Sequence, residues 1–282
     1  MASSERYKKM SRVCVNVACG NTYVDDWLNY DYAPVSASVI KANLLETLPL
    51  ESEVADVVYS SHFFEHIPRL AVDRFLNECF RVMKSGGKIR LVMPDLDELC
   101  REYLTRREVG EHEKANFVVL EILDQCVRST PGGSLAGYYQ EIASTNQTDM
   151  AGYIFERTGE PLTDFLPKQQ IPLSRKILTT LAQPTKLIGR LERIYCQLLT
   201  SLLPNAFLQQ NVSFTQIGER HAWIYDFYSL SKLLEAAGFV AIKKMDFDQS
   251  NIEGFPLFPL DLTDKGRPRK GLESMYIEAT KP

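Results

Sequence analysis

A strand, a helix and a second strand follow one another closely in the first third of the chain, and this order constrains the fold most. Residues 55–61 read ADVVYSS, an apolar run typical of a strand that is buried on both faces. Apolar side chains then recur at helical spacing over residues 72–83, and Gly86-Gly87 predicts the end of that helix. Residues 88–93, KIRLVM, predict the next strand. Short connections between a strand, a helix and a strand predict right-handed crossovers and a parallel sheet.

Three further strand candidates precede this unit. Residues 13–17 form a β-branched segment that breaks at the small-residue loop Ala18-Cys19-Gly20. The segment LNYDY places Asp31 near its carboxyl end, and ASVIKANLL ends near Asn43. Only about ten residues separate the first two strands, whereas a parallel crossover usually takes a dozen or more. We therefore expect a turn in place of the first crossover helix.

The interval 97–217 has a different character. Its helical patches, residues 97–107, 111–127 and 174–203, are separated by glycines and prolines, which predicts a mostly helical insertion after the fifth strand. The pattern of the first part returns afterwards, with an amphipathic helix that stops at Gly238, a strand, and a last strand in MYIEAT. The predicted organisation is one α/β domain, residues 1–96 and 218–282, interrupted by residues 97–217.

Composition excludes several classes of function. With 282 residues, 45% of them hydrophobic, the chain can form one large core and a smaller insertion. The net charge is −4 and the only basic clusters, residues 6–9 and 267–270, are short, so nucleic-acid binding is not indicated. No apolar run approaches the roughly 20 residues of a membrane span. Six cysteines without a C-x-x-C pair indicate reduced thiols, and we expect a cytoplasmic protein.

Residues 59–68, YSSHFFEHIP, contain an H-x-x-E-H motif made of His62, Glu65 and His66. Zinc peptidases of the inverzincin kind use this spacing, so a zinc hydrolase is a remote alternative. That alternative needs both histidines on one face of a continuing helix. Pro68 disfavours such a helix because it restricts the preceding residue and lacks a backbone N–H.

The zinc hypothesis also lacks a third ligand, since a zinc site takes at least three protein ligands. The other two histidines, His112 and His221, are remote in sequence. No metal is therefore expected. We expect Glu65 and His66 to form hydrogen bonds within their loop, and His62, nearer the end of the strand, to face a cofactor or a substrate.

Polar and small residues follow the predicted strands at their carboxyl ends, where ligands bind in open α/β sheets. A dinucleotide site would use G-x-G-x-x-G and an acid about 20 residues later. Here Gly20 stands alone and Asp31 follows it after 11 residues. A nucleoside without phosphates fits these features better, because its ribose hydroxyls can donate to a carboxylate. S-adenosylmethionine is such a nucleoside.

The chain resembles a known family in six segments that occur in the family's order. They read VNVACGN, WLNYD, NLLETLPLESEVADVVYSSHFFEHIP, FLNECFRVMKSGGKIRLVMPD, GERHAWIYDFYSLSKLLEAAGF and ESMYIEATKP. These segments resemble the class I S-adenosylmethionine-dependent methyltransferases, specifically a small bacterial-type branch often linked to glycan biosynthesis. The resemblance covers most of residues 12–95 and 218–282 and leaves the insertion uncovered. It implies a Rossmann-like, seven-stranded, mostly parallel sheet whose last strand is antiparallel.

The resemblance also implies the residues that hold S-adenosylmethionine: Gly20 and its neighbours under the methionine part, Asp31 on the ribose, and Asn43 with Leu44 near the adenine. The full set of expected cofactor-binding residues is Asn16, Ala18, Cys19, Gly20, Asp31, Asn43, Leu44, Ser60 and Ser61. Two of them depart from the family, since Ala18 stands for the usual glycine and Asn43 for the usual aspartate. Alanine is tolerated there if its φ is negative, and asparagine can still form one hydrogen bond to the adenine.

Methyl transfer requires a nucleophile aligned with the methyl group and, for a hydroxyl, removal of its proton. The candidate bases are His62, His221, Asp226 and Asp95, with histidine favoured because its usual pKa lies near working pH. Trp223 and Tyr225 could line the substrate pocket or belong to the core.

The expected function is S-adenosylmethionine-dependent methyl transfer to a small-molecule or glycan acceptor, at oxygen, with the insertion acting as a lid. Because Ala18 and Asn43 depart from the family, an inactive scaffold that only binds S-adenosylmethionine is the alternative. The two are separated by binding calorimetry together with a turnover assay.

Overall fold

A computed structural model describes residues 10–145, 147–165, 194–196, 198–213, 215 and 218–282. Its strands are β1 (Cys14–Val17), β2 (Leu28–Asp31), β3 (Val39–Lys41), β4 (Ala55–Ser61), β5 (Met83–Pro94), β6 (Val240–Met245) and β7 (Ser274–Thr280). They form one seven-stranded sheet in the order β3-β2-β1-β4-β5-β7-β6. Strand β7 is antiparallel to both β5 and β6, and the other pairs are parallel. The predicted Rossmann-like sheet with an antiparallel last strand is confirmed.

The helices of the described residues fall into two groups. Helices α1 (Val72–Val82) and α7 (Phe227–Ala236) belong to the sheet domain. The interval between β5 and α7 contains α2 (Leu96–Glu108), α3 (His112–Val127), α4 (Gly133–Thr145), α5 (Thr148–Thr158) and α6 (Asn205–Asn211). Single 3-10 turns occur at Phe64–His66, Arg69–Ala71 and Leu162–Phe165.

Helix α1 ends earlier than the sequence predicted. Its last helical residue is Val82, and Met83 is already extended, with φ −78° and ψ 144°. Met83 pairs with Ala55 of β4, so the sheet takes the backbone groups that a longer helix would need. Gly87 lies inside β5, where an added Cβ would meet the carbonyl oxygen of Lys84 at 2.8 Å. Gly87 therefore serves a close approach within the sheet, Gly86 adopts a left-handed backbone with φ +78°, and neither ends the helix.

The first crossover, residues 18–27, contains no helix, as predicted from its length. Two buried amide side chains hold it instead. Asn16 Nδ2 donates to the carbonyl of Thr22 at 3.0 Å and to Asn29 Oδ1 at 3.3 Å, and Asn29 Nδ2 donates to the carbonyl of Val24 at 2.7 Å. Buried amides are stable only when their hydrogen bonds are made. This pair fixes the loop that leads into Asp31.

The two faces of the sheet are covered differently. On one face α1 and α7 pack against a large apolar cluster that includes Val15, Val58 and Phe75. On the other face no helix of the described chain packs; the connection between β6 and β7, residues 246–273, packs there against Trp27 and other side chains. Phe255 of this connection lies 5.7 Å from Trp27 between ring centroids.

One arginine is fully buried on that second face. Arg90 is 0% exposed and its guanidinium contacts Glu278 at 2.6 Å and Asp261 at 3.2 Å. Asp261 lies in the connection between β6 and β7, and Tyr59 of β4 donates a hydrogen bond to it. A buried charge requires partners of this kind, so the pairing fixes how the connection lies on the sheet.

The insertion has an apolar core of its own. Phe117, Tyr139, Ile154 and Leu162 are among its buried residues. Helices α2 and α3 match the predicted patches 97–107 and 111–127. Of the third predicted patch, residues 174–193 lie outside the described residues, while 194–196 and 198–201 are helical. The insertion boundary at 97–217 remains a prediction.

Backbone hydrogen bonds attach the insertion to the sheet domain at two places. The N–H groups of Leu272 and Glu273 donate to the carbonyls of Glu156 and Arg157 at the end of α5. The N–H of His221 donates to the carbonyl of Gln125 at the end of α3. The insertion thus lies against the segment just before β7 and the segment just before α7.

Among the described residues, the structure contains no helix with the length and apolar character needed to cross a membrane.

Candidate cofactor and acceptor site

The residues expected to hold the cofactor meet at one edge of the sheet. Val17, the last residue of β1, is aligned with Tyr30 of β2 and with Ser60 of β4. The loop 18–20, Asp31 and the end of β4 therefore leave the sheet side by side. The structure brings these predicted positions together, because neighbouring parallel strands end at the same edge.

Asp31 connects the two loops that start at this edge. Its Oδ2 accepts a hydrogen bond from the N–H of Gly20 at 2.8 Å, and its Oδ1 accepts one from the N–H of Ala33 at 2.8 Å. An ionised carboxylate has about four lone-pair sites, so each oxygen keeps the capacity for one further donor. Asp31 is partly exposed, and a Cβ built on Gly20 would meet no atom within 4 Å. The donor set and the open space fit the ribose hydroxyls of a nucleoside.

The backbone at Ala18 contradicts the expected negative φ. Its φ is +58°, in the left-handed region that favours glycine. A residue with a Cβ is strained there by roughly 1–2 kcal/mol. Cys19 beside it is buried, and burial together with the Asp31 carboxylate raises the pKa of its thiol to about 12. Cys19 is therefore a protonated packing residue under Asp31 and carries no reactive thiolate.

At the adenine end, Asn43 is exposed and its side chain forms local hydrogen bonds. Its Nδ2 donates to Glu46 Oε1 at 2.9 Å, and its Oδ1 accepts from the N–H of Leu45 at 3.3 Å. Leu44 is 4% exposed and packs into the main core. Their contact with adenine stays a prediction.

Three other candidates form contacts within the protein. Ser60 Oγ donates to the carbonyl of Val17 at 3.0 Å, and Ser61 Oγ accepts from Arg269 at 3.1 Å. Asn16 holds the first crossover. These side chains shape the backbone of the edge, and their direct contact with a cofactor stays a prediction.

His62 follows β4 with a left-handed backbone, φ +51°. Its Nε2 lies 2.9 Å from Ser274 Oγ, and that hydroxyl donates to the carbonyl of Lys270. Since a serine has one O–H, Nε2 must carry the proton and donate to Ser274. Nδ1 is then the unprotonated nitrogen and lies 3.3 Å from Glu65 Oε1. Burial, with Lys270 as the next cause, lowers the pKa of His62 well below its usual value.

His62 lines a cavity of about 170 Å³ between the insertion and the sheet domain. The remaining lining residues are Gln125, Arg128, Gly132, Leu135, Ala136, Tyr139, Thr158, Glu160, Lys270 and Glu273. Little in the sequence points to these residues, since 267–270 form only a short basic cluster and nothing marks the residues of the insertion.

Burial reduces the charge that this cavity presents. It raises the pKa of Glu273 well above the usual range, and the nearby Glu121 raises it further. It also lowers the pKa of Lys270, as does the neighbouring Arg269. Burial thus disfavours the charged form of each group. Their side chains give the cavity both donors and acceptors of hydrogen bonds.

The H-x-x-E-H motif does not lie on an α-helix. Phe64–His66 is a single 3-10 turn and Ile67 is extended, so Pro68 ends the helical geometry as expected. His221, however, is not remote in space, because its ring centroid lies 4.8 Å from that of His66 at an interplanar angle of 76°. Burial lowers the pKa of His221 to about 3, with His66 as the next cause.

Glu65 lies next to both histidines and is 1% exposed. Burial raises the pKa of its carboxyl to about 8. Its backbone carbonyl accepts from the N–H groups of Ala222 and Trp223 at 2.7 and 3.1 Å. The loop after β4 is thereby joined to the segment that returns from the insertion.

The two aspartates proposed as bases cap helices. Asp226 is the N-cap of α7; its Oδ1 accepts from the N–H of Ser229 at 2.7 Å in a capping box, and this hydrogen bonding lowers the pKa of its carboxyl. Asp95 caps α2 through the N–H of Asp97 and also pairs with Lys244. Neither lines the cavity. Because Asp226 caps a helix and does not line the cavity, it is not carried into the mechanism below.

The two aromatic candidates have separate positions. Tyr225 is buried in the main core, with its ring 4.9 Å from that of Phe64. Trp223 is 48% exposed and lies against the guanidinium of Arg69. Neither lines the cavity beside His62.

A comparison with protein families finds a match in the first part of the chain. Residues 15–91 match the family model described as a methyltransferase domain. This segment contains β1 to β4, the loop 18–20 and Asp31. No curated protein matches the chain in sequence.

Solved structures whose backbone follows a similar path include methyltransferases. One is an S-adenosylmethionine-dependent methyltransferase from Thermotoga maritima, with 12% identity, a TM-score of 0.41, and coverage of 100% of this chain and 89% of that one. Another is an S-adenosylmethionine-dependent methyltransferase from Archaeoglobus fulgidus, with 14% identity, a TM-score of 0.40, and coverage of 99% and 90%. Likeness at this level carries no information about the acceptor.

The sheet order, the antiparallel β7 and the matched domain are those of a class I methyltransferase fold. Residues 15–91 form a methyltransferase domain, which supports S-adenosylmethionine-dependent methyl transfer and implies S-adenosylmethionine as the cofactor.

Proposed function

We propose that the protein transfers the methyl group of S-adenosylmethionine to a hydroxyl oxygen of an uncharged, polar small molecule or glycan. The observation that carries this proposal is the polar cavity beside His62, which the insertion covers. The cavity begins where β4 ends, and the expected cofactor residues lie along the same edge.

The chemistry of the cavity favours a neutral, hydroxylated acceptor. Burial disfavours the charged forms of Glu273 and Lys270, and the two side chains together can donate to and accept from hydroxyl groups. Arg128 on the insertion side pairs with Asp124 at 3.0 Å and with Glu219 at 3.7 Å. A hydroxyl group can both donate to and accept from such a lining, so we propose oxygen as the methylated atom.

Asp31 and the loop around Gly20 would hold the ribose and the methionine part of the cofactor, with Asn43 and Leu44 near the adenine. The bound cofactor supplies an electrophilic methyl group on its sulfonium. The protein then has to position the acceptor and receive a proton. His62 is the proposed proton acceptor, because it lines the cavity and its hydrogen bond to Ser274 leaves Nδ1 unprotonated.

We also propose that residues 97–217 form the lid over the acceptor. Support comes from the separate core of the insertion and from its two attachments beside the cavity, at Gln125 and at Glu156-Arg157. A lid of this kind excludes water and orients the nucleophile.

The acceptor class is tested by measuring S-adenosylhomocysteine release with matched panels of neutral sugars, other polyols and amines. We expect turnover with hydroxylated acceptors, and NMR of the product should show an O-methyl group. Turnover confined to amines, with an N-methyl product, would overturn the assignment of oxygen.

The cavity itself is tested by filling it. Ala136→Phe on α4 places an aromatic ring in the cavity and should abolish turnover or raise KM at least tenfold while cofactor affinity is unchanged. Ser144→Phe lies on the same helix at an exposed position and is the matched control. A folded Ala136→Phe protein with normal kinetics would place the acceptor elsewhere.

The role of His62 is tested with His62→Ala. Loss of a general base lowers turnover by about 10²–10⁴-fold, and the cofactor affinity should stay within a factor of about two. His112→Ala, at an exposed position on α3, should change neither quantity. If His62→Ala turns over normally, the histidine only shapes the loop.

The lid is tested by replacing residues 108–212 with a short linker. Circular dichroism and calorimetry would first establish that the shortened protein folds and binds the cofactor. Methyl transfer should then be lost. Normal transfer by this protein would show that the acceptor pocket lies within the sheet domain alone.

A further inference from the structure

Three side chains with metal-binding chemistry lie together outside the proposed reaction path. Glu65, His66 and His221 each present one ligand atom, and these atoms all lie within 4.8 Å of one another. Two of the residues belong to the turn after β4, and the third belongs to the segment that returns from the insertion. The fold thus joins residues that are about 155 positions apart in the chain.

Each residue of this cluster keeps a lone pair that a metal ion can bind. His66 Nδ1 lies 3.0 Å from the backbone carbonyl of Arg220, so it carries the proton and leaves Nε2 with a lone pair. Histidines that bind metals are oriented by such a hydrogen bond on the other ring nitrogen. Among the described residues, His221 Nδ1 is buried without a hydrogen-bond partner, and so are both carboxylate oxygens of Glu65. The contact between Glu65 and His62, at 3.3 Å, lacks hydrogen-bond geometry.

Three unpartnered polar atoms in one buried cluster are costly, because each loses its hydration without a replacement. We propose that Glu65, His66 and His221 bind one divalent transition-metal ion, with Zn²⁺ as the best fit. Two imidazoles and a carboxylate form a common zinc ligand set and leave a fourth position open. Tetrahedral zinc with bonds near 2.0–2.1 Å places its ligand atoms about 3.3 Å apart, so small side-chain rotations close the site.

The charges around the cluster are compatible with a bound cation. Arg128 and Lys270 both act on His66 and oppose a positive ion. Burial lowers the pKa of Lys270, and a Glu65 carboxylate that loses its proton on metal binding offsets one charge of the metal.

The position of the cluster indicates that a bound metal would hold separate segments of the chain together. The backbone N–H of His221 donates to Gln125 at the end of α3, and Glu65 accepts from Ala222 and Trp223. A metal at this point ties the turn after β4, the returning segment and the insertion together behind His62.

The test uses the purified full chain after chelator treatment, titrated with Zn²⁺ alone in a calorimeter. We expect one ion per chain and a rise in melting temperature with bound Zn²⁺. Cobalt(II) on the same protein should give the visible absorption of a tetrahedral site, and X-ray absorption should show two imidazole ligands.

Variants assign the ligands. Glu65→Gln, His66→Gln and His221→Asn should each weaken Zn²⁺ binding at least about 100-fold, beyond the effect of losing an outer-shell partner. His112→Ala removes an exposed histidine outside the cluster and should bind Zn²⁺ as the parent does. Circular dichroism and cofactor binding establish that each variant is folded.

Two results would overturn the proposal. One is the lack of a saturable Zn²⁺ site on the parent protein, or a cobalt site without imidazole ligands, and neither depends on any variant folding. The other is unchanged Zn²⁺ affinity in the folded variants. Because the titrations contain no acceptor and need no turnover, they stand apart from the proposed methyl transfer.

Discussion

The two halves of the sheet stabilise their ligand edge by different means. In the half formed by β1, β2 and β3, the connections 18–27, 32–38 and 42–54 contain no helix within the described residues. In the half formed by β4 and β5, the connections contain α1 and the insertion, which has a core of its own. The first half uses side-chain hydrogen bonds to the backbone, and the second uses packed helices with buried ion pairs.

The two halves differ in whether the residues that stabilise the fold are also the residues proposed to bind a ligand. In the half formed by β1, β2 and β3, Asp31 fixes the loop at Gly20 and would also bind the ribose, so one side chain serves both purposes. In the half formed by β4 and β5, buried pairs such as Arg157 with Glu121 hold the helices, while other residues line the cavity. Single substitutions should therefore affect binding and folding together in the first half and separately in the second.

The largest expected effect is on the insertion. Arg157 is 3% exposed and its Nε lies 2.7 Å from the buried Glu121. Arg157→Met leaves that carboxylate without its partner and should lower the free energy of unfolding by about 3–5 kcal/mol, measured by urea denaturation. The exposed Arg101→Met on α2 of the same insertion loses a surface pair with Asp97 and should change the free energy of unfolding little. Equal effects of the two changes would show that the buried pair does not hold the helices of the insertion.

The second effect concerns the cofactor. Asp31→Ala should weaken S-adenosylmethionine binding by about 2 kcal/mol or more, roughly 30-fold, because it removes charged hydrogen bonds to the ribose. The protein should also be less stable, since Gly20 and Ala33 lose their acceptor. Calorimetry measures the affinity, and Asp26→Ala, exposed in the same loop region, is the control. A folded Asp31→Ala protein with normal affinity would contradict the cofactor site.

The third effect separates a helix cap from a catalytic base. Asp226→Ala should cost about 1 kcal/mol, while Asp226→Asn, which can still cap α7, should keep both stability and turnover. Because hydrogen bonds from Ser229 lower the pKa of this carboxyl, its contribution is present above the usual pKa near 3.8 and is lost as pH falls through the lowered value. Urea denaturation at several pH values measures it. Loss of turnover in Asp226→Asn would restore Asp226 as a candidate base.

The smallest expected effect is an increase in stability when Ala18 is replaced. Ala18→Gly removes the strain of a left-handed alanine backbone, roughly 1–2 kcal/mol. Glycine also raises the conformational entropy of the unfolded chain, which offsets part of this gain, so we expect a net stabilisation of about 0.5 kcal/mol. Ala33→Gly, at a position without positive φ, should destabilise by a similar amount. Thermal unfolding of the two variants provides the comparison, and a loss of stability in both would mean that Ala18 is unstrained.

Most of the fold could be predicted from patterns of residues that are contiguous in the sequence. The strands that end at Asp31 and Ser61 were predicted because their apolar runs are contiguous in the sequence, and the short first crossover followed from its length. The end of α1 was missed because Met83 pairs with Ala55 of another strand, and a local pattern does not contain that partner.

The candidate site divides in the same way. Asp31 could be predicted, because a polar residue at a strand end marks the ligand edge. The cavity could not, since Tyr139 and Lys270 meet His62 only through the docking of separate segments. The same holds for His221 against His66. The left-handed backbone at Ala18 depends on the loop around it and has no signature in the residue itself.

The place of β7 has a consequence for synthesis of the protein. It lies between β5 and β6, yet both precede it in the chain. Until Ser274–Thr280 have left the ribosome, β5 keeps an unpaired edge. Such an edge can pair with other chains, so a nascent molecule stalled before this point is prone to aggregate. Lys270 and Glu273 immediately precede β7, and the cavity beside His62 is therefore completed in the same late step that closes the sheet.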